Sequence, residues 1–289
     1  MPDASQTPSI PASLLAVDDL VVDYPGSGFR KKGHRALHGV SLAVSAHETF
    51  GIVGESGSGK STIGKVVLGL ATATSGRVSY DGTNLATLTP AGRRRLAPEI
   101  QAVFQDPLSS LNPALSIEDI LTEPLTTNGV SRTDARHRVG SLLDTVGLPA
   151  GSAQRFASEF SGGQRQRIAI ARALALKPRL IICDEPVSAL DLSTQVRVLD
   201  LLVDIQRETG VAYLFITHDL DVVRYISHRV AVLRGGRIVE TGETDAVTLE
   251  PQHPYTRRLM LASPATDPVV QAERRRLRHL AAADNLVLD

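Results

Sequence analysis

The chain has 289 residues, 42% hydrophobic and 21% charged, enough apolar content for a substantial core and unlike a disordered protein. Its 31 basic residues balance 31 acidic ones, so no global field argues for nucleic acid or anionic lipid as a partner. The single cysteine, Cys183, excludes an intramolecular disulfide and a cysteine-built zinc or iron–sulfur centre, fits a reducing compartment, and reads as a small core hydrophobe.

In chain order, the Pro/Ser-rich opening, residues 1–13, has neither a basic start nor an apolar signal core and is expected to be a disordered lead-in. From Leu14 to about Ile52 three β-like runs follow, "LLAVDDLVVDY", "GVSLAV" and "TFGIVG", with "PGSGFRKKGH" between the first two expected as an exposed loop. A helix is expected after "GESGSGKST", then a short strand and turn at "SGRVSYDG" and a strand "IQAVF" that runs into a Pro-punctuated loop. Between about 113 and 160 the pattern turns helical: Val139, Leu142, Leu143 and Val146 fall at i, i+3, i+4 and i+7. The alternation resumes with the apolar strand "RLIICDE", a helix with Val198, Leu201, Leu202 and Ile205 on one face, strand "VAYLFIT" and helix "DLDVVRYIS". The tail after about Gly242 reads as short helix and loop, with an amphipathic "AERRRLRHL" near its end. No window offers the roughly 18 apolar residues of a spanning helix, so any work at a membrane is expected to pass through partners. The expected fold is α/β: a mostly parallel sheet covered on both faces, with ligands beyond the carboxyl ends of its strands.

Three stretches carry chemistry. "GESGSGKS" satisfies G-x-x-x-x-G-K-[ST] between a predicted strand and a predicted helix, the setting that separates a P-loop from a chance glycine turn. Gly54, Glu55, Ser56, Gly57, Ser58 and Gly59 would curl backbone N–H groups around phosphate oxygens at the positive end of a helix dipole. Lys60 would bridge β and γ phosphates, Ser61 would ligate Mg²⁺, and Thr62 completes the loop, so a nucleoside triphosphate is the expected ligand. In "RLIICDEP", Asp184 and Glu185 end a buried strand, where paired carboxylates are costly without a cation. Asp184 therefore reads as holding Mg²⁺ through water and Glu185 as polarising the attacking water. In "FSGGQRQRIAIARAL", Ser161, Gly162, Gly163 and Gln164 open a helix and form a second anion-binding start. One nucleotide does not easily reach both Gly59 and Gly163 across a helical insertion, whereas two subunits arranged head to tail would solve the geometry.

With "SGGQ" lying between a P-loop and a strand-end Asp-Glu, residues 14 to 265 resemble the nucleotide-binding subunit of ABC transporters. The resemblance implies a P-loop NTPase fold with an N-terminal antiparallel β subdomain, an ATPase domain over about 14–245 whose helical signature subdomain covers about 107–177, and a C-terminal extension over 246–289. It implies further roles: Tyr24 in "VVDYPG" stacking on adenine, Gln105 in "VFQDP" sensing Mg²⁺, Asp191 in "SALD" as the D-loop aspartate, and His218 in "FITHDL" bonding the γ-phosphate. Taken singly, Tyr24 also reads as an ordinary strand-end aromatic. The catalytic set is then Glu185, His218, Lys60, Gln105 and Asp191, the metal set Ser61, Gln105 and Asp184, and the cofactors ATP and Mg²⁺. Ser161–Gln164 would reach the γ-phosphate held by a partner subunit.

"VFQDPLSSLNP", "EPVSALDLSTQ" and "HPYTRRLMLASPATDP" are similar to the ATPases of oligopeptide and dipeptide importers, a group that also serves nickel and other small solutes. Many relatives carry a cysteine cluster near the C-terminus; none stands here, and no iron–sulfur cluster is expected. The resemblance implies two membrane permeases, an extracytoplasmic solute-binding protein, and a second ATPase that is a paralogue or another copy. It implies a peripheral position on the cytoplasmic face of the membrane and no nucleic-acid partner. The runs Arg30–Lys32, Arg93–Arg95 and Arg274–Arg276 read as solvated charged faces in preference to lipid contacts. The competing functions are an exporter subunit, a soluble ABC ATPase acting on ribosomes or DNA, and a small-molecule kinase, in which "SGGQ" would have no job.

Overall fold

The computed structural model of the protein describes residues 13–26, 33–106 and 110–262. Residues 1–12 of the lead-in, the RKK and RRR runs at 30–32 and 274–276, and the amphipathic tail fall outside the described residues.

β1 (Leu15–Tyr24) pairs antiparallel with β2 (His34–Val44), which begins five residues earlier than the apolar pattern predicts and draws His34 out of the expected loop. β3 (Thr49–Val53) is buried at every position and leads through the glycine loop into α1 (Lys60–Leu68). β4 (Ser75–Tyr80) and the two-residue β5 (Thr83–Asn84) complete a four-stranded sheet in the order β2-β1-β4-β5. α2 (Pro90–Leu96) follows; of its three arginines Arg94 and Arg95 are exposed, but Arg93 is half-buried and donates to the Leu85 carbonyl at 2.9 Å. The solvated face expected for that run therefore holds for two residues of the three.

β6 (Ile100–Phe104) enters a second sheet, and the chain then leaves it for α3 (Ile117–Thr127), α4 (Arg132–Thr145) and α5 (Gly162–Leu174). Ser116 and Ser131 cap α3 and α4 by accepting the amide three residues on. β7 (Leu180–Asp184), α6 (Leu192–Thr209), β8 (Ala212–Thr217), α7 (Leu220–Ile226) and β9 (Arg229–Arg234) return to the sheet. A hairpin through Gly235–Gly236 gives β10 (Arg237–Glu243), followed by α8 (Thr244–Leu249) and α9 (Pro254–Ala262). The order is β10-β9-β3-β8-β7-β6, parallel except for β10 at the edge.

Successive strand residues point to opposite faces, and that alternation divides the core. Cys183, Ile181, Tyr213 and Phe215 pack with α5, α6 and the helical region, including Ile117, Val139, Leu143 and Ile168. Leu180, Ile182, Leu214 and Ile216 face the other way, onto α1 and the antiparallel sheet through Ile63, Val66, Leu20 and Val78. The parallel sheet is thus a wall with helices on one side and α1 and the antiparallel sheet on the other. The loops at its carboxyl edge lie between the two layers, where ligands of open α/β sheets bind.

Candidate nucleotide site

β3 lies between β8 and β9, so the loop that leaves it at Gly54 opens at the centre of the sheet's carboxyl edge. Gly59 stands before α1 with φ 104°, and a Cβ there would come within 2.6 Å of the Ala36 carbonyl, so both conformation and space demand glycine. Lys60 is 4% exposed and its Nζ donates to the carbonyls of Gly54 (2.8 Å) and Glu55 (2.9 Å). Burial lowers its pKa, while the carboxylates of Glu185, Asp184 and Glu55 oppose that shift.

The acids arrive on β7. Asp184 Oδ1 accepts from the Ser61 hydroxyl at 2.8 Å, joining the first turn of α1 to the end of the neighbouring strand. Burial raises the Asp184 pKa, the Ser61 hydrogen bond pulls it down, and the Glu185 charge pushes it up again: an acid held where a cation would stabilise its ionised form. Glu185 has φ 51°, a left-handed backbone that costs a non-glycine residue about 1–3 kcal/mol and gathers at functional sites. Its N–H donates to the Ile216 carbonyl at 2.8 Å, which holds that turn against β8. His218, just past β8, brings Nδ1 to 3.1 Å from Glu185 Oε2. The hydrophobic stretches of β7 and β8 thus carry two polar side chains to one point.

A cleft of about 320 Å³ is lined by Ser56, Gly57, Gly59, Lys60, Ser61, Thr62 and Glu185 on one side and by Tyr24, His34 and Ala36 on the other. The sequence pattern singled out Tyr24, but not His34 or Ala36; the antiparallel register Tyr24↔His34 brings them in, and that pairing is not visible before the hairpin forms. Gln105 follows β6, is exposed, and is not among the residues lining the cleft. The register Phe104↔Asp184 sets it one residue beyond the Asp184 level, on the strand next to the acids.

Ser161–Gln164 lies elsewhere. Ser161 Oγ accepts from the Gln164 N–H (3.3 Å) and Gln164 Oε1 accepts from the Ser161 N–H (3.0 Å), a reciprocal cap on α5. Gly163 is buried so closely that a Cβ would meet Thr194 Cγ2 at 2.2 Å. Thr194 in turn donates its N–H to Asp191, the N-cap of α6, which also accepts from Ser193 Oγ at 2.7 Å. Those hydrogen bonds hold the Asp191 pKa down to about 2. The SGGQ turn and the Asp191 turn therefore form one surface, separate from the cleft around Lys60.

A strand, a glycine loop and a helix whose lysine and serine meet a strand-end aspartate define a P-loop nucleotide-binding protein. The ABC transporter family matches residues 37–188. The chain is 51% identical over 234 residues to the oligopeptide transport ATP-binding protein OppD of Mycobacterium tuberculosis, covering 81% of this chain and 38% of that protein. It is 46% identical over 274 residues to the oligopeptide transport ATP-binding protein OppF of Lactococcus lactis, covering 92% and 85%. The dimeric ATP-binding cassette MJ0796 bound to ADP and Pi shares the fold at a TM-score of 0.71 and 29% identity, over 80% of this chain and 98% of that one. The chain belongs to the ABC transporter family. It spans little more than a third of the OppD relative's length and most of the OppF relative's.

Proposed function

We propose that the chain is the ATP-hydrolysing subunit of a solute importer, with oligopeptides or dipeptides as the cargo. The observation that carries the chemistry is the gathering at one sheet edge of the buried Lys60, the Ser61–Asp184 pair and the Glu185–His218 pair. Lys60, withdrawn from water and donating to two loop carbonyls, is placed to exchange them for β- and γ-phosphate oxygens. The loop amides and the α1 N-terminus add fixed positive dipole ends. Glu185 would orient and deprotonate the attacking water, and His218 would hold Glu185 and bond the transferred phosphoryl group. Asp191 would act from the partner-facing turn.

The residues fit Mg²⁺. The Ser61 hydroxyl and Asp184 carboxylate are hard oxygen donors already in contact, and Mg²⁺ is usually held by one or two such groups with water and substrate phosphates. Among the described residues no group of three or more His, Cys, Asp or Glu forms a metal cage, which agrees with a cation that arrives with its nucleotide. Bound there, it would neutralise charge developing on the phosphoryl oxygens. Gln105 would read its presence from the next strand.

Because the SGGQ turn does not line the cleft of its own chain, a second ATPase would supply the signature to this nucleotide and receive this chain's in return. Among the described residues no helix is long and apolar enough to cross a membrane, so attachment at the cytoplasmic face would run through a permease pair, with an extracytoplasmic binding protein delivering solute. A groove between β6 and α3, lined by Leu70, Phe104, Glu123, Pro124, Thr127 and Arg172 among others, suits a permease's cytoplasmic helix. It lies beside Gln105, which would pass nucleotide state to it. Trapping Glu185→Gln with ATP in native membranes and identifying the co-purifying chains tests this. Two permeases, a second ATPase and a solute-binding protein are expected; ribosomal or DNA-repair partners without permeases would overturn the transport reading.

A further inference from the structure

The stretch His253–Thr256 lies far along the chain from the P-loop, yet it reaches it. Pro254 starts α9, and the His253 ring Nδ1 accepts the Tyr255 N–H at 3.1 Å, which turns the tyrosine inward. The segment before it is fastened to β10, where the Glu240 carboxylate accepts the amides of Gln252 (2.7 Å) and His253 (3.1 Å). Arg257 closes the turn by donating to the carbonyls of Pro251 (2.9 Å) and Gln252 (3.2 Å).

Tyr255 is 4% exposed and packs among Val53, Val232 and Val247, with the Arg234 guanidinium 4.9 Å from its ring centre. Its hydroxyl oxygen accepts the backbone N–H of Glu55 at 3.3 Å. That N–H belongs to the same peptide unit as the Gly54 carbonyl, which accepts from Lys60 Nζ at 2.8 Å. A peptide unit is planar, and in the trans form its N–H and C=O point in opposite directions. Holding the N–H at Tyr255 therefore aims the carbonyl at Lys60. Burial raises the phenol's pKa above its ordinary value, so the group stays neutral across physiological pH.

We propose that Tyr255 is a positioning residue of the phosphate loop, which sets the Gly54–Glu55 peptide plane and through it the resting place of the Lys60 ammonium. The C-terminal segment, through Glu240 and α9, becomes a brace for nucleotide capture. The inference rests on the reading of Gly54–Thr62 as a phosphate site.

The test is Tyr255→Phe in the full chain assembled in its membrane complex, because it removes one oxygen and keeps the ring packing and the Arg234 contact. KM for ATP is expected to rise about three- to tenfold, the range one hydrogen bond supplies, with kcat within twofold and an unchanged melting temperature. Glu240→Ala, which frees the segment without touching the loop, is expected to raise KM in the same direction. The double variant should then lose little beyond Tyr255→Phe alone, as expected of residues acting in one chain of contacts. An unchanged KM in Tyr255→Phe overturns the proposal, and so does a lowered melting temperature accompanied by a loss of kcat as large as the rise in KM. A wild-type chain that binds no ATP would instead overturn the phosphate-site reading.

Discussion

The Gly54–Thr62 loop and the Ser161–Gln164 turn both stand at a helix N-terminus, yet only the first buries a lysine next to strand-end acids. Lys60 is sunk into its loop, Ser61 meets Asp184 at 2.8 Å, and His218 meets the adjoining Glu185 at 3.1 Å. Around the second turn, Ser161 and Gln164 are exposed and cap each other, and the neighbour that fills the space against Gly163 is the Thr194 methyl. A helix dipole alone contributes about 0.3–1 kcal/mol to an exposed anion, too little for tight capture. The first loop thus sets a buried lysine and two strand-end acids beside its amides, whereas the second has its helix end and its own cap, which fits the proposal that it works on a phosphate held by another subunit.

The comparison breaks most sharply at the acids. Glu185→Gln should cut phosphate release in the assembled complex by about 10²–10⁴-fold, the contribution of a positioned base, while ATP binding stays within a few fold; equal turnover would remove Glu185 from the chemistry. Gly163→Ala tests the other turn. With a methyl driven against Thr194, the SGGQ surface must shift, and turnover of the complex should fall about 100-fold. Nucleotide binding by the isolated chain should not change, and weakened binding there would place the turn in its own chain's site.

Ser161→Ala removes one cap from α5 and should lower stability by ~1 kcal/mol, read as a fall of ~2–4 °C in melting temperature by calorimetry. The smallest effect concerns Asp191, whose pKa of about 2 lies below the ordinary 3.8. Its charge favours the folded state above pH 3.8, and that contribution disappears as pH falls toward 2. Asp191→Asn keeps a capping oxygen and loses the charge. Its melting temperature should sit slightly below wild type at pH 5 and converge with it near pH 2. A gap that persists at pH 2 would mean the side chain acts through packing.

Much of this could be read in the sequence because the chemistry is written in contiguous stretches. A glycine loop between an apolar run and a helix, two carboxylates ending "RLIICDE", and capping residues ahead of apolar spacing are local signals, and local sterics and hydrogen bonding enforce them. The hairpin of β9 and β10 is legible only in part, since Gly235–Gly236 follows the apolar run "VAVL" but "RIVETGE" after it is largely polar and half-exposed. The strand order β10-β9-β3-β8-β7-β6 belongs to the tertiary structure alone. It brings Ser61 against Asp184 across 123 residues and the Glu55 amide against Tyr255 across 200. A linear pattern shows which side chains a segment offers. Which segments meet is decided when burial of both faces of the sheet selects one packing, and that choice sets Lys60 and Glu185 in one cleft and leaves the SGGQ turn out of its lining.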